Sequence, residues 1–156
     1  MDTDEVERLI LYEPFTGGNA RPRIIERLEE MLRKDDREGL LITALREVAG
    51  MSGDQIEQLR SLRMWPSGLA AAHTVPRELR ALAEYRFNAS RFAPLDTPTL
   101  LLRGEFDPAG WVEGSIAAVG DALPNARLTT LAGQAHVAQM TAPSLLADEV
   151  LGFIAV

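Results

Sequence analysis

The chain contains no cysteine. That excludes disulfides and thiolate metal sites and fits a reducing compartment. It has two histidines, His73 and His136, far apart in sequence. Two such residues are poor material for a metal site, and no metal is expected. Positive charge is scarce: 16 Lys and Arg stand against 23 Asp and Glu, a net charge of -7. A phosphate-backbone binder needs a basic surface, so nucleic acid is not an expected partner. Long apolar runs are missing too. None approaches the roughly 20 residues of a membrane span, and the acidic start, MDTDEVER, lacks the apolar stretch of a signal peptide. The expectation is a cytoplasmic protein with no membrane partner. There is no glycine-rich phosphate loop and no dinucleotide fingerprint, so no cofactor is expected. Internal repeats and low-complexity tracts are absent as well.

What is present suits a globular fold. A hydrophobic fraction of 46% over 156 residues is enough for one domain with a sizeable core. Three short apolar runs, bounded by Pro and Gly, read as buried parallel strands: Arg8 to Tyr12, Thr99 to Leu102 and Arg127 to Leu131. A helical stretch from about Gly110 to Ala122 separates the last two. A final helix follows, with Thr141 as its expected N-cap and Pro143 in its first turn. Strand, helix, strand, helix is the order of a parallel α/β layer.

Between the first two strands, roughly from Arg21 to Tyr85, the spacing is helical. Ile24, Ile25, Leu28, Met31 and Leu32 mark one helix, and Leu40, Leu41, Ala44, Leu45 and Val48 a second, capped by Asp35 or Asp36. Ser52 with Gln55 makes a capping box for a third. Thr74 and Pro76 open another, carrying Leu79, Leu82 and Tyr85. The expected organisation is residues 1–18 as a first core strand and loop, 19–92 as a helical insert, and 93–156 as a C-terminal α/β segment. The sequon Asn88-Ala89-Ser90 reads as a chance match without a signal peptide.

Two residues stand where chemistry is expected. Asp107, in Gly104-Glu105-Phe106-Asp107-Pro108, follows the second strand; His136, in Gly133-Gln134-Ala135-His136, follows the third. The C-terminal ends of parallel strands share one rim, where binding sites lie. A carboxylate bonded to one imidazole nitrogen fixes the tautomer, so the other nitrogen can take a proton. The plainer readings are a turn or cap for Asp107 and a structural role for His136. Glu105 is a competing acid that ranks below Asp107. Trp65, Phe106, Trp111 and Met140 are the side chains expected to line an apolar pocket, although such aromatics are more often core. His73 is expected to be structural.

The segments TPTLLLRGEFDP and LPNARLTTLAGQAHVAQMTAPSLLADEVLGFI resemble the acid loop, last strand, histidine loop and final helix of α/β-hydrolases. VERLILYEP resembles the strand that leads into their lid, and the helical insert resembles the lid. That family orders its triad as nucleophile, acid, histidine. The resemblance implies a partial α/β-hydrolase fold of about three parallel strands, with Asp107 as triad acid and His136 as general base. Those two side chains are then expected within hydrogen-bond distance. It also implies hydrolysis of an ester-like or related small apolar substrate.

One part of the pattern is not found. No G-x-S-x-G elbow occurs in the 156 residues. Gly114-Ser115-Ile116 lacks the second glycine and falls in an expected helix, and Ser52 and Ser67 read as helix caps. The oxyanion donors that accompany an elbow are missing with it. The chain therefore reads as the C-terminal portion of an enzyme, inactive by itself. The alternative is a non-catalytic remnant or interaction subunit. Either way, the first strand is expected to expose an edge that pairs with another copy or with a complementing chain, and the acidic Asp2, Asp4, Glu5 and Glu7 flank it.

Overall fold

The computed structural model describes residues 6–17, 22–107 and 110–155. Asp2, Asp4, Glu5, Pro108 and Arg21, named above, lie outside them. The chain divides into two compact units. One comprises the residues up to Thr16 together with those from Phe87 on; the other is Gly17–Arg86.

The first unit is built on three parallel strands in the spatial order β1-β2-β3: Leu9–Tyr12, Thr99–Gly104 and Ala126–Leu131. Leu9 pairs with Thr99 and Tyr12 with Leu102, while Thr99 pairs with Ala126 and Gly104 with Leu131. The central strand is apolar on both faces because both are covered. Leu100 and Leu102 join Ile10, Tyr12 and Leu131 under α8 (Pro143–Ile154), through Leu145, Leu146, Val150 and Phe153. Leu101 and Leu11 face the other way, onto Val112, Ile116, Val119 and Leu123, and α6 (Val112–Ala122) supplies most of that cover. This alternation is the two-residue period of a strand. Full burial of each leucine contributes on the order of 1.5–3 kcal/mol. β2 runs two residues past Leu102, through Arg103 to Gly104.

The second unit is helical: α1 (Pro22–Arg33), α2 (Arg37–Glu47), α3 (Gly53–Ser61), α4 (Trp65–Ala71) and α5 (Val75–Glu84). Its core is Ile24, Ile25, Leu28, Leu40, Ala44 and Ala72, with Met31, Leu32, Leu41, Val48, Val75 and Leu79 packed around it. The Asp36 side chain caps α2 at the Gly39 N–H, and Ser52 and Gln55 form a capping box on α3. Thr74 precedes α5 but turns its hydroxyl back to the Ala71 carbonyl instead of capping. Phe87 and Phe92, expected in the insert, stack on each other in the core of the sheet unit.

Two cap assignments need correction. Ser67 lies inside α4, whose N-cap is Met64. Thr141 does not cap the last helix. It ends a short helix, α7 (Ala138–Thr141), and its hydroxyl bonds the Gln134 side chain at 2.7 Å, while Ala142 precedes α8. That bond ties the histidine loop to the end of α7. Pro143 does occupy the first turn of α8.

Candidate active site

β2 and β3 end level, at the paired Gly104 and Leu131, while β1 stops earlier, at Tyr12 opposite Leu102, and the loops that leave β2 and β3 are laced together. The Glu105 N–H and the Gln134 N–H both donate to the Leu131 carbonyl, and the Phe106 N–H donates to the Gln134 carbonyl at 2.9 Å. Glu105 Oε2 accepts from the Gly133 N–H at 2.7 Å, so the competing acid serves as a loop tie. Gly133 sits at φ 70°, in the left-handed region that glycine adopts without strain. Gly104 lets the histidine loop approach. A Cβ there would lie 2.7 Å from the Gln134 carbonyl oxygen and 2.8 Å from Ala135 Cα.

His136 stands on this rim with 46% of its side chain exposed, and its Nδ1 lies 2.5 Å from Glu13 Oε2. Glu13 follows β1, and its side chain has no exposed surface. Its other oxygen, Oε1, accepts from the Gly104 N–H at 2.8 Å. A carboxylate has only acceptors, so in this arrangement Nδ1 carries a proton; in the neutral imidazole that is the tautomer whose Nε2 has the lone pair. Hydrogen bonds to an ionised group contribute about 1.5–3 kcal/mol each, which helps offset the burial of the carboxylate. Glu13 is also one of two non-glycine residues with positive φ, at 45°, among the described residues. Strained backbone of this kind concentrates at functional sites.

The expected Asp107–His136 hydrogen bond is not formed. Asp107 Oδ1 accepts from the Gly110 N–H at 2.8 Å, and Oδ2 accepts from the N–H groups of Val112 at 2.8 Å and Glu113 at 3.3 Å. The carboxylate thus caps the N-terminus of α6, where free N–H groups and the helix dipole both favour an anion. The strand-end rule that selected Asp107 and His136 applies equally to the acid after β1. In the sequence Glu13 stands next to Pro14 directly after the apolar run and looks like part of the turn that closes the strand.

Of the expected pocket residues, Trp111 meets the site: its ring packs edge-on against His136 with centroids 5.1 Å apart, and Phe15 packs on Trp111 at 5.3 Å. Phe106 is exposed, and Met140 is half-buried in α7. Trp65 opens α4 in the helical unit, with the Arg60 guanidinium 6.0 Å from its ring centre. His73 bonds its Nδ1 to the Ala70 carbonyl, a local turn contact. Ser115 is buried in α6, and its Oγ accepts from the Thr16 hydroxyl at 3.1 Å, so it is no exposed nucleophile. No cluster of three His, Cys, Asp or Glu side chains suited to a metal occurs among the described residues. No helix among them is long and apolar enough to cross a membrane.

The parallel sheet, its covering helices and the rim of loops are part of the α/β-hydrolase fold. The chain superimposes on an α/β-hydrolase from Sphaerobacter thermophilus with a TM-score of 0.74 and 29% identity, covering 95% of this chain and 58% of that one. An enol-lactonase from Burkholderia xenovorans gives 0.67 at 16% identity, covering 99% and 58%. A thermophilic esterase gives 0.66 at 18% identity, covering 96% and 56%. The chain therefore spans little more than half the length of these proteins. No family model matches it, and no curated protein does.

Proposed function

We propose that the chain supplies the acid–base part of a hydrolase site, with His136 as general base and Glu13 as the carboxylate that orients it. The observation that carries this reading is the 2.5 Å bond between a half-exposed imidazole and a fully enclosed carboxylate. Burial removes water as a competitor for Glu13, and exposure leaves Nε2 open to a nucleophile. His136 takes the nucleophile's proton and returns it to the leaving group. The nucleophile and oxyanion donors come from outside these 156 residues, which hold no elbow. Trp111 and Phe15 present an apolar flank beside the imidazole, which suits a small, ester-like substrate. Phe106, on the loop after β2, and Met140, on α7, are further candidates to touch it. In this reading the helical unit that contains Trp65 serves as the lid.

The test is a chromogenic short-chain ester assay on the chain alone and mixed with an elbow-bearing segment of a related hydrolase. The expected result is no turnover alone, turnover in the mixture, and loss of that turnover in His136→Ala. A mixture that co-elutes as one folded species yet hydrolyses nothing would overturn the reading in favour of a non-catalytic interaction subunit. Turnover by the chain alone that depends on His136 would show that its site is complete.

A further inference from the structure

The strand that delivers Glu13 also delivers Tyr12, one residue earlier, and its hydroxyl reaches the histidine loop. Tyr12 Oη donates to the Ala135 carbonyl at 2.6 Å and accepts from the Ala138 N–H at 3.2 Å. These two bonds hold the main chain immediately before His136 and at the first residue of α7, two positions beyond it. The imidazole is thereby fixed at two levels by consecutive residues of β1: Glu13 sets the ring, and Tyr12 sets the backbone that carries it. The Tyr12 ring packs against the core cluster under α8 that contains Leu100, Leu102 and Phe153, so the hydroxyl is mounted on the packed core of the unit.

We infer that Tyr12 is a positioning residue for His136, clamping the loop so that the imidazole meets the Glu13 carboxylate in one orientation. The inference rests on the reading of His136 as the base, and it concerns a residue that touches neither nucleophile nor substrate. The clamp needs a neutral hydroxyl, because a phenolate cannot donate to the Ala135 carbonyl. Burial pushes the Tyr12 pKa up from its ordinary 10.0, the bond from Ala138 opposes this, and nearby Glu13 adds to the rise. The donor therefore persists across the neutral range. Positioning of this sort matters because displacements of about 1 Å cost catalytic groups roughly a hundredfold in rate.

The experiment is NMR on the full 156-residue chain, with nitrogen-15 in the histidine rings and the backbone. In the parent, the His136 Nδ1–H bonded to Glu13 is expected as a far-downfield proton, absent in Glu13→Gln. Tyr12→Phe keeps the ring in its core position and removes only the hydroxyl. The expected result is a native-like melt, a broadened or lost Nδ1–H signal, and exchange of the Ala138 amide faster by about tenfold. An unchanged Nδ1–H signal and unchanged Ala138 exchange in a folded Tyr12→Phe would overturn the inference, even if the melt shifted. If Tyr12→Phe does not fold, 3-fluorotyrosine incorporation in a Tyr85→Phe background keeps the hydroxyl but lowers its pKa. The His136 signal must then change in step with fluorophenol ionisation, and constancy through that titration overturns the clamp. None of these signals requires turnover, so a failed ester assay sinks the catalytic reading without deciding this one.

Discussion

Glu13 and Asp107 are both acids just past a strand end, and their surroundings give them different work. Glu13 is enclosed and shares its oxygens between His136 Nδ1 and the Gly104 N–H. Asp107 spends both oxygens on backbone N–H groups at the start of α6. Substitution should separate the two. Asp107→Ala leaves those N–H groups without their cap and should cost about 1–2 kcal/mol of stability, read from a thermal or urea melt, while the His136 Nδ1–H signal persists. Glu13→Gln has one acceptor in place of two. Serving Gly104 with it leaves an NH2 facing Nδ1 and favours the wrong imidazole tautomer. In the complemented esterase assay, that should lower turnover by on the order of a hundredfold or more. The reverse pattern, with Asp107→Asn silencing the mixture and Glu13→Gln sparing it, would restore Asp107 as the orienting acid. At this scale the sequence was only partly legible. His136 stood out through its place after a strand. The choice between acids depended on which N–H groups each carboxylate meets, and those come from loop geometry that no spacing rule encodes.

The elements themselves were easier to read. Each strand is a short run with proline, glycine or a turn at its ends, but only β2 is buried on both faces and continuously apolar. β1 is half-buried, and β3, expected to be buried, is largely exposed, with Leu128 at 49%. The capping box on α3 and Pro143 at the start of α8 follow from local chemistry, which sequence states directly. Helix α4 is misplaced by the sequence reading because Ser67 looks like its cap, whereas the helix opens earlier, at Trp65-Pro66, with no side-chain cap at Met64. The break between α7 and α8 was missed because it serves Gln134, a tertiary partner of Thr141. The same dependence on tertiary approach gives Gly104 its role at the end of β2. Gly104→Ala would drive a methyl against the backbone of Gln134 and Ala135, neither of which can rotate away as a side chain can. The expected cost is about 1–3 kcal/mol, with faster amide exchange at Phe106, whose N–H is tied to the Gln134 carbonyl. A variant that melts with the parent and keeps Phe106 protected would show that the histidine loop has slack.

For the whole 156-residue chain, the outer edge of β1 is the feature with the largest consequence. Among the described residues, β1 has a strand neighbour on one side only. The N–H groups of Leu9 and Glu13 point to β2, donating to the carbonyls of Pro98 and Leu102. Strand alternation then aims those of Ile10 and Tyr12 the other way. Leu9–Tyr12 are all half-buried, unlike the buried leucines of β2. An unpaired edge of this kind is a template for another strand. On α8, Leu151 and Ile154 are 61% and 52% exposed, three residues apart on one helix face. Both features favour contact with a second copy. The net charge of -7 opposes it through like-charge repulsion between copies. Salt screens that repulsion, shortening its range to about 10 Å at 0.1 M, and leaves apolar and backbone pairing largely intact. The chain should therefore self-associate, and more so as salt rises from about 0.05 M to about 0.5 M. Size-exclusion chromatography with light scattering at both salts reads this directly. A charged substitution in the edge, Ile10→Lys, should shift the distribution toward monomer. A monomer at both salts, with one cooperative melt, would mean that the β1 edge is closed by the chain itself, and the strand would no longer be a candidate site for a complementing partner.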